Sequence, residues 1–156
     1  VLTAEGMLKT IIENTPVSIY TLKALVIGYG RVGKAAVRIL TDNRIYTAVT
    51  NRDEKTLASG GLVADITIPF RDFGNSVVGF DVIINTVPDL TLTKEILDNI
   101  APDTLIIDLA SLPGGVDFAY AKKRGITALH ELGIPGKIAP KTASEYLFKI
   151  IKSNLY

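Results

Sequence analysis

The sequence predicts an α/β domain built on a doubly wound parallel sheet, with helices on both faces. Three observations carry this. Six short apolar runs of strand length alternate with helical patterns along the 156 residues, as in a sheet whose parallel strands are joined by helical crossovers. The first run, Lys23 to Ile27, empties into Gly28-Tyr29-Gly30-Arg31-Val32-Gly33, a Gly-x-Gly-x-x-Gly turn that opens a helix. No internal repeat or low-complexity segment interrupts the alternation. Six strands with that turn fit the order 3-2-1-4-5-6 of the dinucleotide-binding Rossmann fold.

The elements justify themselves in order. Ala4, Leu8, Ile11 and Ile12 mark a helix that a minimal nucleotide-binding fold does not need. Residues 1–20 therefore read as a connecting helix and linker from an N-terminal lobe outside this sequence, and residues 21–156 as the NAD(P)-binding domain. In the glycine turn, Gly28 allows the sharp exit from the strand, Gly30 lets backbone approach a pyrophosphate, and Gly33 lets the helix pack closely on the strand. Tyr29 either shields that pyrophosphate or packs beside it. The helix that follows keeps Val32, Ala35, Ala36, Ile39 and Leu40 on one face, and its first amides, from Arg31 and Val32 onward, suit an anion.

The second strand, Ile45 to Thr50, ends where the adenosine ribose of a bound dinucleotide would lie. An NAD site places a carboxylate there for the ribose 2′-hydroxyl, and an NADP site places an arginine for the 2′-phosphate. Here Asn51 and Arg52 occupy the position, with Lys55 as a second cation, so NADP is favoured over NAD. Asp53 reads as the N-cap of a short helix over Glu54 to Ala58 rather than as a displaced ribose acid.

Leu62 to Ile66 is expected as a third strand, Phe80 to Thr86 as a fourth, and Thr104 to Leu109 as a fifth after a helix near Thr93 to Ile100. A helix beginning near Asp117 closes at Gly125, and Ile126 to His130 supplies the sixth strand. Pro140 opens a last helix with Ala143, Leu147, Ile150 and Ile151 on one face. Ligands of such sheets lie beyond the carboxyl ends of the strands. That makes Thr86-Val87-Pro88, Ala110-Ser111 and Gly133-Ile134-Pro135-Gly136 the expected floor of the site, with Thr86, Val87, Pro88 and Ala110 against the coenzyme.

Composition sets the limits. With 47% hydrophobic residues and a mean hydropathy of +0.31, the chain can bury one good core. Seventeen basic and sixteen acidic residues leave a net charge of +1, with no cationic run to attract nucleic acid. The apolar runs are far shorter than the ~20 residues of a membrane helix, so a cytoplasmic protein is expected. Zero cysteines and one histidine argue against disulfides, thiolate catalysis and a metal site. The chemistry is expected to belong to the cofactor.

Two long blocks then resemble a known family. Ile107-Asp108-Leu109-Ala110-Ser111-Leu112-Pro113-Gly114-Gly115-Val116-Asp117-Phe118 and Leu132-Gly133-Ile134-Pro135-Gly136-Lys137-Ile138-Ala139-Pro140-Lys141-Thr142-Ala143 are similar to segments of the A subunit of dipicolinate synthase. Thr3-Ala4-Glu5-Gly6, the glycine turn and Asn85-Thr86-Val87-Pro88 extend the likeness over nearly the whole chain. The resemblance implies oxidation of dihydrodipicolinate, a lysine-branch intermediate, to dipicolinate with NADP as hydride acceptor, in the mother cell of a sporulating bacterium. It also implies a B-subunit partner and an N-terminal lobe. A homo-oligomer is expected.

Such a substrate is a small dicarboxylate, which calls for hydroxyls, backbone N–H groups and a cation. Ser111, the Gly114-Gly115 turn, Lys141 and Thr142 are the candidates, and no residue is assigned a proton-transfer role. Asp108 either orients a cofactor amide or bonds neighbouring backbone. For His130, a catalytic role and a packing role both stay open. Asn51-Arg52 with Lys55 also resembles the NADP clamp of shikimate dehydrogenases, and the general plan that of adenosylhomocysteine hydrolases. The non-enzyme alternative is an NADP-sensing module, which has no need of the Ser111–Gly115 and Gly133–Thr142 blocks.

Overall fold

The computed structural model describes residues 2–154; Val1, Leu155 and Tyr156, at the ends of the two expected segments, lie outside the described residues. The elements run α1 (Leu2–Asn14), a 3-10 turn at Ile19–Thr21, β1 (Lys23–Ile27), α2 (Arg31–Asp42), β2 (Tyr46–Asn51), α3 (Glu54–Gly60), β3 (Ile66–Pro69), α4 (Phe73–Ser76) and β4 (Val82–Asn85). They continue with α5 (Lys94–Leu97), β5 (Leu105–Asp108), α6 (Phe118–Lys123), β6 (Thr127–His130), α7 (Ile134–Ile138) and α8 (Pro140–Asn154). The strands form one six-stranded sheet in the order β3-β2-β1-β4-β5-β6, with every pairing parallel. The expected doubly wound α/β class and its order are those found.

Strand residues alternate between two cores. Ala24, Val26, Val49, Val82, Ile84, Leu105 and Ile107 face the helices α1, α2 and α3, which contribute Met7, Ile11, Ala36, Val37, Leu40 and Leu57. Leu25, Ile27, Ala48, Ile83 and Ile106 face α4, α5 and α6 through Phe73, Leu97 and Ala121. Residues buried on both faces of a sheet are what covered parallel strands require. The register also places Asn85 beside Ile27, Asp108 beside Asn85, and His130 beside Asp108, which brings these side chains to one edge.

The third strand lies later than the sequence suggested. Leu62 is 88% exposed in a turn after α3, and pairing with β2 begins only at Ile66. Asp65 fixes that start, because its N–H donates to the Thr47 carbonyl while its carboxylate accepts from the Thr47 N–H at 2.7 Å. The expected helix near Thr93 to Ile100 is confined to Lys94–Leu97.

The helix α1 is packed onto this domain, with Met7 and Ile11 fully buried. Glycine inside a helix costs roughly 1 kcal/mol relative to alanine, and Gly6 has a local reason: a Cβ there would run into the side chain of Ile134 in α7. In the last helix Leu147, Ile150 and Ile151 stand 50–59% exposed, because among the described residues α8 packs chiefly on the short α7.

Candidate functional site

The three glycines after β1 differ in what surrounds them. Gly28 has φ +94°, and a Cβ there would sit 2.5 Å from Thr86 Oγ1. A Cβ on Gly33 would strike the Gly28 carbonyl oxygen, so α2 can approach β1 only without one. Gly30 is exposed, and its Cβ would meet nothing within 4 Å. No neighbour inside the protein explains that third glycine; the open face beside it is where backbone can approach a ligand. The turn is anchored by Gly28 N–H donating to Thr50 O at 2.9 Å and by Thr86 Oγ1 donating to Ile27 O at 2.8 Å. Helix geometry leaves the first-turn amides of Arg31, Val32 and Gly33 without intrahelical acceptors, and exposed Arg31 follows Gly30 directly.

Tyr29 is 5% exposed within the core cluster that holds Val49 and Leu57, and the Lys34 ammonium lies 5.7 Å from its ring centroid. Its N–H donates to Asn51 Oδ1 at 3.2 Å, which ties the glycine turn to the end of β2.

Beyond β2 lies a cavity of about 270 Å³ lined by Asn51, Arg52, Glu54, Leu57, Pro69, Phe70 and Arg71. The Arg52 guanidinium lies 5.1 Å from the Phe70 ring centroid, and its Nη1 donates to Asp89 Oδ2 at 2.8 Å. Asp53 caps α3 as expected: Oδ1 accepts from the Thr56 N–H at 2.7 Å, and the hydrogen bonds from Thr56 hold its carboxyl below the usual aspartate range. Lys55 is exposed in the first turn of α3 and does not line the cavity; the second guanidinium there is Arg71. Phe70, Arg71 and Asp89 escaped the sequence reading. The first two follow β3, and a strand placed too early hid the residues past its end. Asp89 meets Arg52 across 37 positions of sequence, for which no local pattern exists.

On the other side of the turn, Asn85 and Asp108 are both fully buried. Asn85 Nδ2 donates to Val87 O and to Asp108 Oδ1, each at 2.8 Å, and so shapes the Thr86-Val87-Pro88 loop. Asp108 accepts further from the N–H of Ala110 at 3.0 Å and of Gly115 at 2.7 Å. It therefore bonds neighbouring backbone, the second of its two readings. His130 Nε2 lies 2.8 Å from the Ala110 carbonyl, to which it donates, and its ring stacks on Phe118 with centroids 5.3 Å apart.

These bonds decide what the expected floor residues can offer. Both backbone polar groups of Ala110 have partners inside the protein. The Gly114 N–H donates to Ser111 O at 2.9 Å and the Gly115 N–H to Asp108, so neither amide points at a ligand. The glycines are there for space, since a Cβ on Gly115 would lie 2.5 Å from Asn85 Nδ2. Ser111 is exposed at the rim of this loop, while Lys141 and half-buried Thr142 lie in the first turn of α8, away on the α7 side. Among the described residues no acidic, histidine or cysteine cluster could hold a metal ion, and no helix is long and apolar enough to cross a membrane.

No protein-family model matches the chain. Over 98% of its length it is 36% identical to the A subunit of dipicolinate synthase from Bacillus subtilis (strain 168). The chain is a homologue of the dipicolinate synthase A subunit. It spans about half the length of the curated relative it matches, 52%. The crystal structure of the dipicolinate synthase A subunit from Bacillus halodurans superposes with a TM-score of 0.96 at 36% identity, covering 99% of this chain and 53% of that one. Quinate dehydrogenase from Corynebacterium glutamicum in complex with NAD shares the fold at a TM-score of 0.66 and 15% identity, over 82% of this chain and 50% of that one. Of the segments that resemble the dipicolinate synthase A subunit, the Asp108–Gly115 stretch wraps a buried carboxylate and Gly6 admits α7.

Proposed function

We propose that this domain binds NADP and serves the oxidation of dihydrodipicolinate to dipicolinate, as part of an A subunit that works with a B subunit in the mother-cell cytoplasm of a sporulating bacterium. The observation that carries the coenzyme reading is the open face at Gly30, continuous with the first turn of α2 and required by no contact within the protein. The first-turn amides suit a diphosphate, and Arg52 and Arg71 in the cavity beyond β2 suit the phosphorylated end of an adenosine. An arginine where an NAD site carries an acid favours NADP. A nicotinamide coenzyme supplies the hydride acceptor, and aromatisation of a dihydropyridine asks little acid or base help from the protein.

The protein's own task is to hold the ring and its carboxylates in position. Asn85 and Asp108 do this indirectly, by fixing the two loops that border the crevice. Ser111, Lys141 and Thr142 remain the candidates for a dicarboxylate, with the half of the relatives' length beyond this chain completing the site. Homology to the dipicolinate synthase A subunit supports the substrate and the B-subunit partner.

Titration with NADPH and NADH, repeated with Arg52→Ala, tests the coenzyme reading. The substitution is expected to weaken NADPH by roughly 1.5–3 kcal/mol, the worth of a charged hydrogen bond, and NADH far less. Equal losses reject it. Dipicolinate formation by the full-length protein, with and without the B-subunit partner, tests the substrate.

A further inference from the structure

We infer that Asp89 tempers the coenzyme preference of this domain by holding Arg52 in an ion pair for which a 2′-phosphate has to compete. The inference rests on the reading that the cavity beside Arg52 takes the adenosine end of a nicotinamide coenzyme. The pair joins the segment after β2 to the loop after β4, two of the strand ends that border the crevice.

Asp89 is the shorter member, with its backbone held although its side chain is 66% exposed. Thr91 Oγ1 donates to the Asp89 carbonyl at 2.8 Å, and that carbonyl packs against Gly115, where a Cβ would lie 2.7 Å from it. Arg52 is the member able to turn: its side chain is 57% exposed and rests one face on Phe70. A 2′-phosphate competes for a guanidinium whose Nη1 the Asp89 carboxylate already holds at 2.8 Å. The carboxylate left behind then stands as a like charge near the phosphate. Arg71 is similarly drawn towards Asp72, at 3.7 Å, so the cavity's two cations each carry an acidic neighbour. A coenzyme with a plain 2′-hydroxyl makes no such demand and leaves the pair alone. Asp89 thus narrows the gap between NADP and NAD that Arg52 alone would open.

The test is a binding titration of this chain with NADPH, NADH and adenosine 2′,5′-bisphosphate, on the parent, Asp89→Asn, Arg52→Ala and the double variant. Asparagine keeps the size of the side chain and removes its charge, and a thermal melt of each variant checks folding. Asp89→Asn is expected to tighten NADPH and the bisphosphate about two- to fivefold, the scale of an exposed ion pair, and to leave NADH within twofold. In the Arg52→Ala background the gain is expected to vanish. An unchanged NADPH affinity, an equal change for NADPH and NADH, or weaker binding of both would overturn the inference. If the parent binds NADPH and Arg52→Ala weakens it while Asp89→Asn does nothing, the inference fails alone. If the parent binds neither coenzyme, the coenzyme reading fails with it.

Discussion

Asn85 donates from Nδ2 to Asp108 Oδ1 at 2.8 Å across the β4–β5 pair, with both side chains shut off from solvent. A buried carboxylate is tolerable only when donors surround it, and here an amide side chain and two backbone N–H groups do so. Asp108→Ala should therefore leave two backbone N–H groups without an acceptor and Asn85 Nδ2 with only Val87 O, and lower stability by about 3 kcal/mol, read from the midpoint of a urea transition. Asp108→Asn keeps one oxygen but turns N–H towards N–H, and an intermediate loss is expected.

Two glycines of the turn, Gly30 and Gly33, should separate stability from binding. Gly30 has φ −75°, which alanine adopts freely, and open space for a methyl group. Gly30→Ala should melt no lower than the parent, since fewer unfolded conformations remain, yet lose about tenfold or more in NADPH affinity, or about 1.4 kcal/mol. Gly33→Ala meets a backbone carbonyl that cannot step aside, and its melting temperature should fall sharply. A loss of melting temperature in Gly30→Ala would contradict the assignment.

Gly6→Ala should force α1 and α7 apart at Ile134, at a cost of about 1–3 kcal/mol for an overfilled contact. Shortening the facing side chain with Ile134→Ala in the same chain should recover part of the loss. A double-mutant cycle in urea gives the coupling directly.

Asp53 gives a pH signature. Its carboxyl titrates below the usual aspartate range because it accepts from Thr56 in the folded chain. A lowered folded value means that its contribution is present above the ordinary aspartate range and disappears as pH falls through the lowered value. Following the Thr56 amide shift through an acid titration should show that step, and Asp53→Asn, also a good cap, should remove it.

Much of the fold could be read from spacing alone. The Gly28–Gly33 turn and the Asp53 cap are local patterns, each written within a few consecutive residues, and the strand order followed from combining that turn with six alternating strands. What escaped was set by distant contacts. β3 is an edge strand pairing only with β2, so the apolar run at Leu62 looked as good as the true one until Asp65 met Thr47. The periodicity of α8 predicted an apolar face and could not say that Leu147, Ile150 and Ile151 stand half-exposed. Gly114 and Gly115 looked like amide donors for a ligand, and only the buried Asp108 between them and Asn85 reveals that the need was for room.

The strand order also governs how the chain can assemble during synthesis. Ala24 pairs with Val82, so the innermost seam of the sheet cannot close until the 57 residues between them have been made. No neighbouring strands form a hairpin to nucleate early, and parallel crossovers are slow to register. The nascent chain must carry β1 unpaired on its β4 edge throughout that interval, while α1 and the amphipathic α2 can already cover one of its faces.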